Sequence, residues 1–243
     1  MQRFALLLCL FLLCYCNPQQ KPGQELLEKT IDFHDPQDNW SKFKAHLYLS
    51  STDTAGNENP FELEMDNATG YFAHITRKDG KEIVQGISGD KEFYLIDGKK
   101  EINEDDRTKY KLTREGVRGT QRFYGYLYGL PMKLRDKGAI ISDTVSTETF
   151  NGKTYQTLKV THEPGMGKEI WTFFFDPTTS AMEAYKFMFS PESDEGEYIT
   201  LEETLTVSDI KIPKIRKWYF VKSNEFLGTD NLIKAEQLTS YRN

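Results

Sequence analysis

The chain has 243 residues, with 31 basic and 37 acidic side chains and a net charge of −6. A negative surface excludes nucleic acid as a partner, and excludes adhesion to an anionic membrane by charge alone. All three cysteines, Cys9, Cys14 and Cys16, fall in the first sixteen residues, so the remainder has no disulfide and depends on its core.

The first element is an apolar run. Twelve apolar residues, Phe4 to Tyr15, follow Arg3 and give way to polar Asn17–Lys21. The run is shorter than the roughly 18 residues of a membrane-spanning helix, and its layout is that of a secretory signal peptide. The small residues of an ordinary cleavage site at −3 and −1 are missing. Leu13-Cys14-Tyr15-Cys16 resembles a lipoprotein lipobox instead, with Cys16 as the lipidated first residue. Tyr15 stands where that pattern has Gly, Ala or Ser, and a cut before Cys14 would put Leu13 there. The expected organisation is a signal peptide over 1–15, a lipidated cysteine and tether over 16–23, and one domain over 24–243. Asn17 is not the aspartate of inner-membrane retention and no acidic run follows Cys16. By that resemblance the protein is lipid-anchored to an outer membrane of a bacterial envelope and faces the periplasm.

Gln24–His34 carries Leu26, Leu27, Ile31 and Phe33 on roughly one side, which predicts a short amphipathic helix ended by Pro36. From Trp40 the period becomes two: Phe43, Ala45, Leu47 and Leu49 alternate with polar residues, and so do Phe61, Leu63 and Met65. Turn pairs at Thr69-Gly70, Asp79-Gly80, Gly89-Asp90 and Asp97-Gly98 predict a meander of five strands within 42–96. Asn103, three residues before Asp106, is a helix cap. Val117, Gln121, Tyr124 and Leu127 follow at helical spacing, widened by Phe123, Tyr126 and Leu130. A helical region over 104–129, broken near Gly116–Gly119 and stopped by Pro131, is predicted. Strands return after Asp143. Asn151-Gly152 marks a hairpin, Ile170–Phe175 is apolar on both faces, and Met182–Phe189 runs back from Asp176-Pro177. Segments around Ile199–Val207, Trp218–Lys222 and Leu232–Leu238 complete the sheet.

The fold class is therefore mainly β (α+β), with about ten or eleven antiparallel strands. A flat sheet of that size leaves long edges and a wet face. Aromatic residues make up 13% of the chain and need cover. A strongly curved sheet forming a half-open barrel, with an N-terminal helix and a mid-chain helical lid across its concave side, satisfies both demands.

This order of elements looks like the lipoprotein-carrier fold of LolA and LolB. More closely, the chain resembles an uncharacterised family of Bacteroidetes-type lipoproteins with that fold. The residues carrying the resemblance are Tyr128–Asp136 with Gly138, Trp171–Pro177, and Leu227-Gly228-Thr229-Asp230.

The chemistry of catalysis is hard to assemble from these residues. No pair among His34, His46, His74 and His162 has the helical spacing of a zinc site. No nucleophile elbow or phosphate loop occurs, and Gly165-Met166-Gly167-Lys168 reads as a hairpin turn. Glu202-Glu203 and Asp105-Asp106 are adjacent and point apart. His34-Asp35-Pro36 reads as a helix-end histidine favoured by the dipole, and Arg114, Arg118 and Arg122 as a basic face. No enzyme, cofactor or metal is expected. The candidate ligand wall consists of Trp171, Phe173, Phe175, Tyr185, Phe187 and Phe189, with Tyr124, Leu127 and Tyr128 from the lid. The expected function is noncatalytic binding or relay of a hydrophobic ligand, a lipid or acyl chain, in the barrel cavity. The alternative is an envelope interaction protein with a filled core and no ligand; its protein partner is unknown.

Overall fold

The computed structural model describes residues 20–243. The signal-peptide segment, Cys16 and most of the tether lie outside the described residues.

Helix α1, Pro22–His34, begins with proline in its first turn, where a missing N–H costs nothing. Leu26, Leu27 and Ile31 face the core. Asp35 stops the helix: its carboxylate accepts the backbone N–H groups of Asn39 and Trp40, both at 2.8 Å. A 3-10 turn, Trp40–Lys42, leads into the sheet.

The five predicted N-terminal strands are present as β1 (Lys44–Asp53), β2 (Glu58–Asp66), β3 (Tyr71–Lys78), β4 (Lys81–Ser88) and β5 (Lys91–Ile96). Ala45, Leu47 and Leu49 turn inward from β1, as the alternation requires. β2 departs from it. Its outward carboxylates Glu62, Glu64 and Asp66 are buried as well. The C-terminal tail covers them: Tyr241 donates to Asp66 at 2.6 Å and Arg242 to Glu64 at 2.6 Å. Leu238 packs beside them against Tyr71, Ala73 and Ile75 on the outer face.

The later strands are β6 (Ala139–Ile141), β7 (Ser146–Phe150), β8 (Lys153–His162), β9 (Ile170–Phe175), β10 (Met182–Met188), β11 (Gly196–Val207), β12 (Ile210–Phe220) and β13 (Phe226–Glu236). One antiparallel sheet of thirteen strands results, ordered β5-β4-β3-β2-β1-β13-β12-β11-β10-β9-β8-β6, with β7 also on β8. First and last strands meet in its middle. The sheet is open and curved, a half-open barrel. The count exceeds the sequence expectation because short pieces give no periodic signal: β6 is three residues long. Pro213 is accommodated inside β12 because β12 pairs with β13 only from Ile215 onward, leaving that side of Pro213 without a ladder.

Helix α2 spans Glu104–Lys109 and is capped by Asn103, whose side chain accepts from Asp106 N. Helix α3 spans Arg114–Gly129. The break thus falls at Tyr110–Thr113, not at Gly116–Gly119. Lys111 adopts φ +52°, and the Thr113 hydroxyl accepts from Gly116 N at 3.1 Å, so the second helix starts before its glycines. A 3-10 turn, Met132–Arg135, follows α3. Helices α1 and α3 share one core with the concave face of the sheet, and among the described residues the buried apolar side chains run from Leu26 to Leu238. Residues 20–243 therefore hold a continuous core of their own.

Candidate functional site

Helix α3 organises the concave side. Val117, Leu127 and Tyr128 are buried beneath it. Tyr124 packs against Phe61, with ring centroids 5.4 Å apart. Its C-terminal end approaches Trp40 closely. A Cβ on Gly129 would lie 2.7 Å from the Trp40 ring, so only glycine allows this seat without a shift.

The predicted wall residues do share the concave side. Phe173 pairs with Tyr185 and Trp171 with Phe187 across β9 and β10. Leu127 and Tyr128 reach the same core from α3. Most of them fill space and do not line it. Phe173, Phe175 and Tyr128 are fully buried, and Tyr185 and Leu127 nearly so. Phe187 and Tyr124 are half-buried against the same core. Phe189 lies beyond the end of β10 and is 42% exposed. Aromatic rings on two-residue spacing announce a shared face; they do not say whether the face is hollow.

Open space lies to one side of this core. A cleft of about 940 Å³ is bounded by the β2–β3 turn, by α3 and the turn after it, and by the β6–β8–β9 edge. Its apolar lining includes Trp40, Met65, Phe72, Tyr126, Met166 and Trp171. Trp171 is the one predicted wall residue that reaches it. Tyr126 meets Trp171 edge to face at 5.5 Å, joining the helix to the sheet. Of the other lining residues, Tyr126 carried a signal in the widened helical stripe. Trp40 and Met166 sit in short connections, where periodicity is silent.

Charge is distributed unevenly around this cleft. Of the predicted basic face, Arg114 and Arg118 both pair with Glu92 on β5. Arg122 lines the cleft instead, with Lys137 and His162. The Nδ1 atom of His162 is buried without a hydrogen-bond partner.

A second polar group is sealed under α3. Arg216 of β12 is 1% exposed. It donates to Pro213 O at 3.2 Å and to Leu127 O at 3.5 Å, and its Nε has no partner. Its register partner on β13 is Asp230, whose carboxyl burial pushes upward while Arg216 pulls it down. The buried hydroxyls of Tyr126, Tyr128 and Tyr185 also lack partners. Burial pushes the Tyr128 hydroxyl up to about 12, so it stays protonated.

Two of the histidines, His34 and His74, are structural. His34 is buried between two strands: Nδ1 is 2.7 Å from Lys211 O, and Nε2 accepts Met182 N–H at 3.0 Å. One nitrogen must donate and the other accept, which fixes a neutral ring. Burial pushes its pKa down to about 4, so the dipole-favoured cation expected from sequence is not what the helix end holds. Burial likewise pushes His74 down to about 4, beneath Phe61 and Tyr124. Among the described residues no group of three or more His, Cys, Asp or Glu side chains is placed to hold a metal ion. Among them, no helix is long and apolar enough to cross a membrane.

No curated protein matches the chain in sequence. Among solved structures, a LolA superfamily protein from Nitrosomonas europaea superposes with a TM-score of 0.51 at 12% identity, covering 90% of this chain and 94% of its own. A domain described as outer membrane lipoprotein-sorting, from Vibrio parahaemolyticus, gives 0.52 at 10% identity, covering 90% and 93%. At these identities the likeness is one of fold. A family described as "Family of unknown function (DUF6503)" matches residues 1–235.

Proposed function

Because the chain belongs to the family of unknown function DUF6503, which brings no activity with it, we propose a function from its own geometry: noncatalytic holding or relay of a hydrophobic ligand, a lipid or acyl chain. The observation that carries this reading is the cleft beside α3. Its volume of about 940 Å³ lies in the range of small-molecule sites, and its exposed lining is more apolar than polar, although charged and polar residues make up half of those that bound it. The neighbours in fold support it in kind, one being a LolA superfamily protein and the other described as sorting outer membrane lipoproteins.

In this proposal the ligand occupies the cleft rather than the space behind Phe173 and Phe175. An acyl chain leaving water gains about 25 cal/mol per Å² of apolar surface buried, and Trp40, Tyr126 and Trp171 supply the surface. No cofactor takes part. Residues 1–15 serve as signal peptide and Cys16 as the lipid attachment point, which sets the chain on the outer membrane facing the periplasm.

The filled interior around Phe173, Tyr185 and Tyr128 favours a second reading, an envelope protein that binds another protein and no lipid. Organic extraction of the chain purified from envelopes, with titration of residues 20–243 by a fluorescent acyl probe, separates the two. The first reading expects co-extracted lipid and saturable probe binding. Absence of both overturns it and leaves the second, whose partner crosslinking in the envelope would identify.

A further inference from the structure

The ionic bookkeeping of the cleft is incomplete on one side. Its acidic residues are mostly engaged. Asp66 is held by Lys44 and Tyr241, Asp136 by Lys133, and Glu169 accepts the backbone N–H of Lys168. Of its basic residues, Lys133 is engaged in the pair with Asp136, but Arg122 and Lys137 are not engaged. Arg122 projects from α3 and Lys137 from the turn before β6; both are exposed, and neither forms an ion pair among the described residues. His162 adds an unpartnered ring nitrogen in the same lining. Two unpaired cations thus flank an aromatic-floored cleft on a chain of net charge −6.

We propose that the cleft takes a single-chain amphiphile with an anionic oxygen head group, a carboxylate or a phosphate. The head lies between Arg122 and Lys137, and the chain runs over Trp40, Tyr126 and Trp171. The proposal rests on the hydrophobic-ligand reading above and adds the head-group chemistry. A guanidinium and an ammonium suit such a head because charge-assisted hydrogen bonds are roughly twice as strong as neutral ones. The overall negative charge of the protein keeps it off anionic bilayer surfaces, so recognition of this kind is confined to a head group drawn into the cleft. Met166, 57% exposed and lying against Gly138 beside Lys137, is an adaptable apolar contact for the chain.

Two of the three tryptophans, Trp40 and Trp171, line the cleft, so a brominated chain bound there quenches their fluorescence. Residues 20–243 are titrated at pH 8, below micellar concentrations, with dibromostearate, with the lysophosphatidate of the same acyl chain, and with its uncharged monoacylglycerol. At least one anionic probe is expected to bind on the order of tenfold more tightly than the neutral one. Whichever anion binds more tightly identifies carboxylate or phosphate as the source. In the Arg122→Gln/Lys137→Gln variant the anionic-to-neutral ratio is expected to fall to near one. Equal binding of all three probes, or a ratio unmoved by the double substitution, overturns the head-group proposal and leaves the hydrophobic-ligand reading standing. Failure of every probe to quench overturns both.

Discussion

Arg216 lies over the ring of Tyr128, its guanidinium carbon 4.2 Å from the ring centroid. This contact pins strand β12 to helix α3, with the charge buried opposite Asp230, whose carboxyl it pulls down. Desolvating charges is expensive, and replacing a buried cation together with its opposite charge by uncharged side chains is often neutral or better. Arg216→Met combined with Asp230→Asn, which removes both charges, is expected to leave unfolding free energy within about 1 kcal/mol of the parent. Arg216→Ala, which leaves a cavity under Tyr128, is expected to lose about 2–5 kcal/mol. Urea denaturation of both variants checks this.

Core and cleft separate by substitution. Phe173→Ala empties a fully buried site and is expected to cost about 3–5 kcal/mol. Trp171→Ala opens the cleft wall and is expected to cost less stability and more affinity. Denaturation and acyl-probe titration, run on both variants, should rank them in opposite orders.

Acid should weaken the fold before most carboxylates titrate. His34 and His74 are held neutral, with folded values of about 4 against an ordinary 6.5. Their contribution is complete above pH 6.5 and is lost as pH falls toward 4, because the unfolded chain takes up the proton first. Each accounts for up to about 3 kcal/mol by pH 4. A falling urea midpoint between pH 7 and 5 is expected, with a shallower slope in His74→Phe. A flat profile would contradict the burial of both rings.

The C-terminal tail is a clamp of side chains. Arg242 reaches Glu64 at 2.6 Å and Glu82 at 2.9 Å, and Tyr241 stacks on Tyr71 at 4.4 Å. Arg242→Ala leaves the buried Glu64 without its cation, a loss expected to be about 3–5 kcal/mol. Glu64→Gln in the same chain should recover part of it, measured as a double-mutant cycle.

Much of the fold is legible in the sequence because its signals are local. Alternation at Phe43–Leu49, the turn pairs from Thr69 to Gly98 and the Asn103 cap each act within a few residues, and each element is present. The cleft is less legible because it is made of ends. Trp40 comes from a 3-10 turn, Met166 from a hairpin loop and Lys137 from a turn, and tertiary packing alone brings them together. The role of Arg216 was equally hidden: in β12 it reads as one more charged strand residue.

Helix α1 is set against the broken edge of the sheet. Gly23 N–H bonds Asp143 O at 3.2 Å, and a Cβ on Gly23 would overlap the Ser142 carbonyl oxygen. Gly23→Ala is therefore expected to loosen that seat, at a cost of about 1–3 kcal/mol. Ser142 is three residues beyond Ala139, which lines the cleft, roughly 10 Å along a strand. The proposed anchor at Cys16 is six residues before Pro22, at most about 20 Å of extended chain. The start of helix α1, where such a leash would end, and the doorway then share one side of the molecule. A lipid passing between bilayer and cleft would cross a gap of the order of its own length, and the leash would set how far the doorway could swing away from its supply.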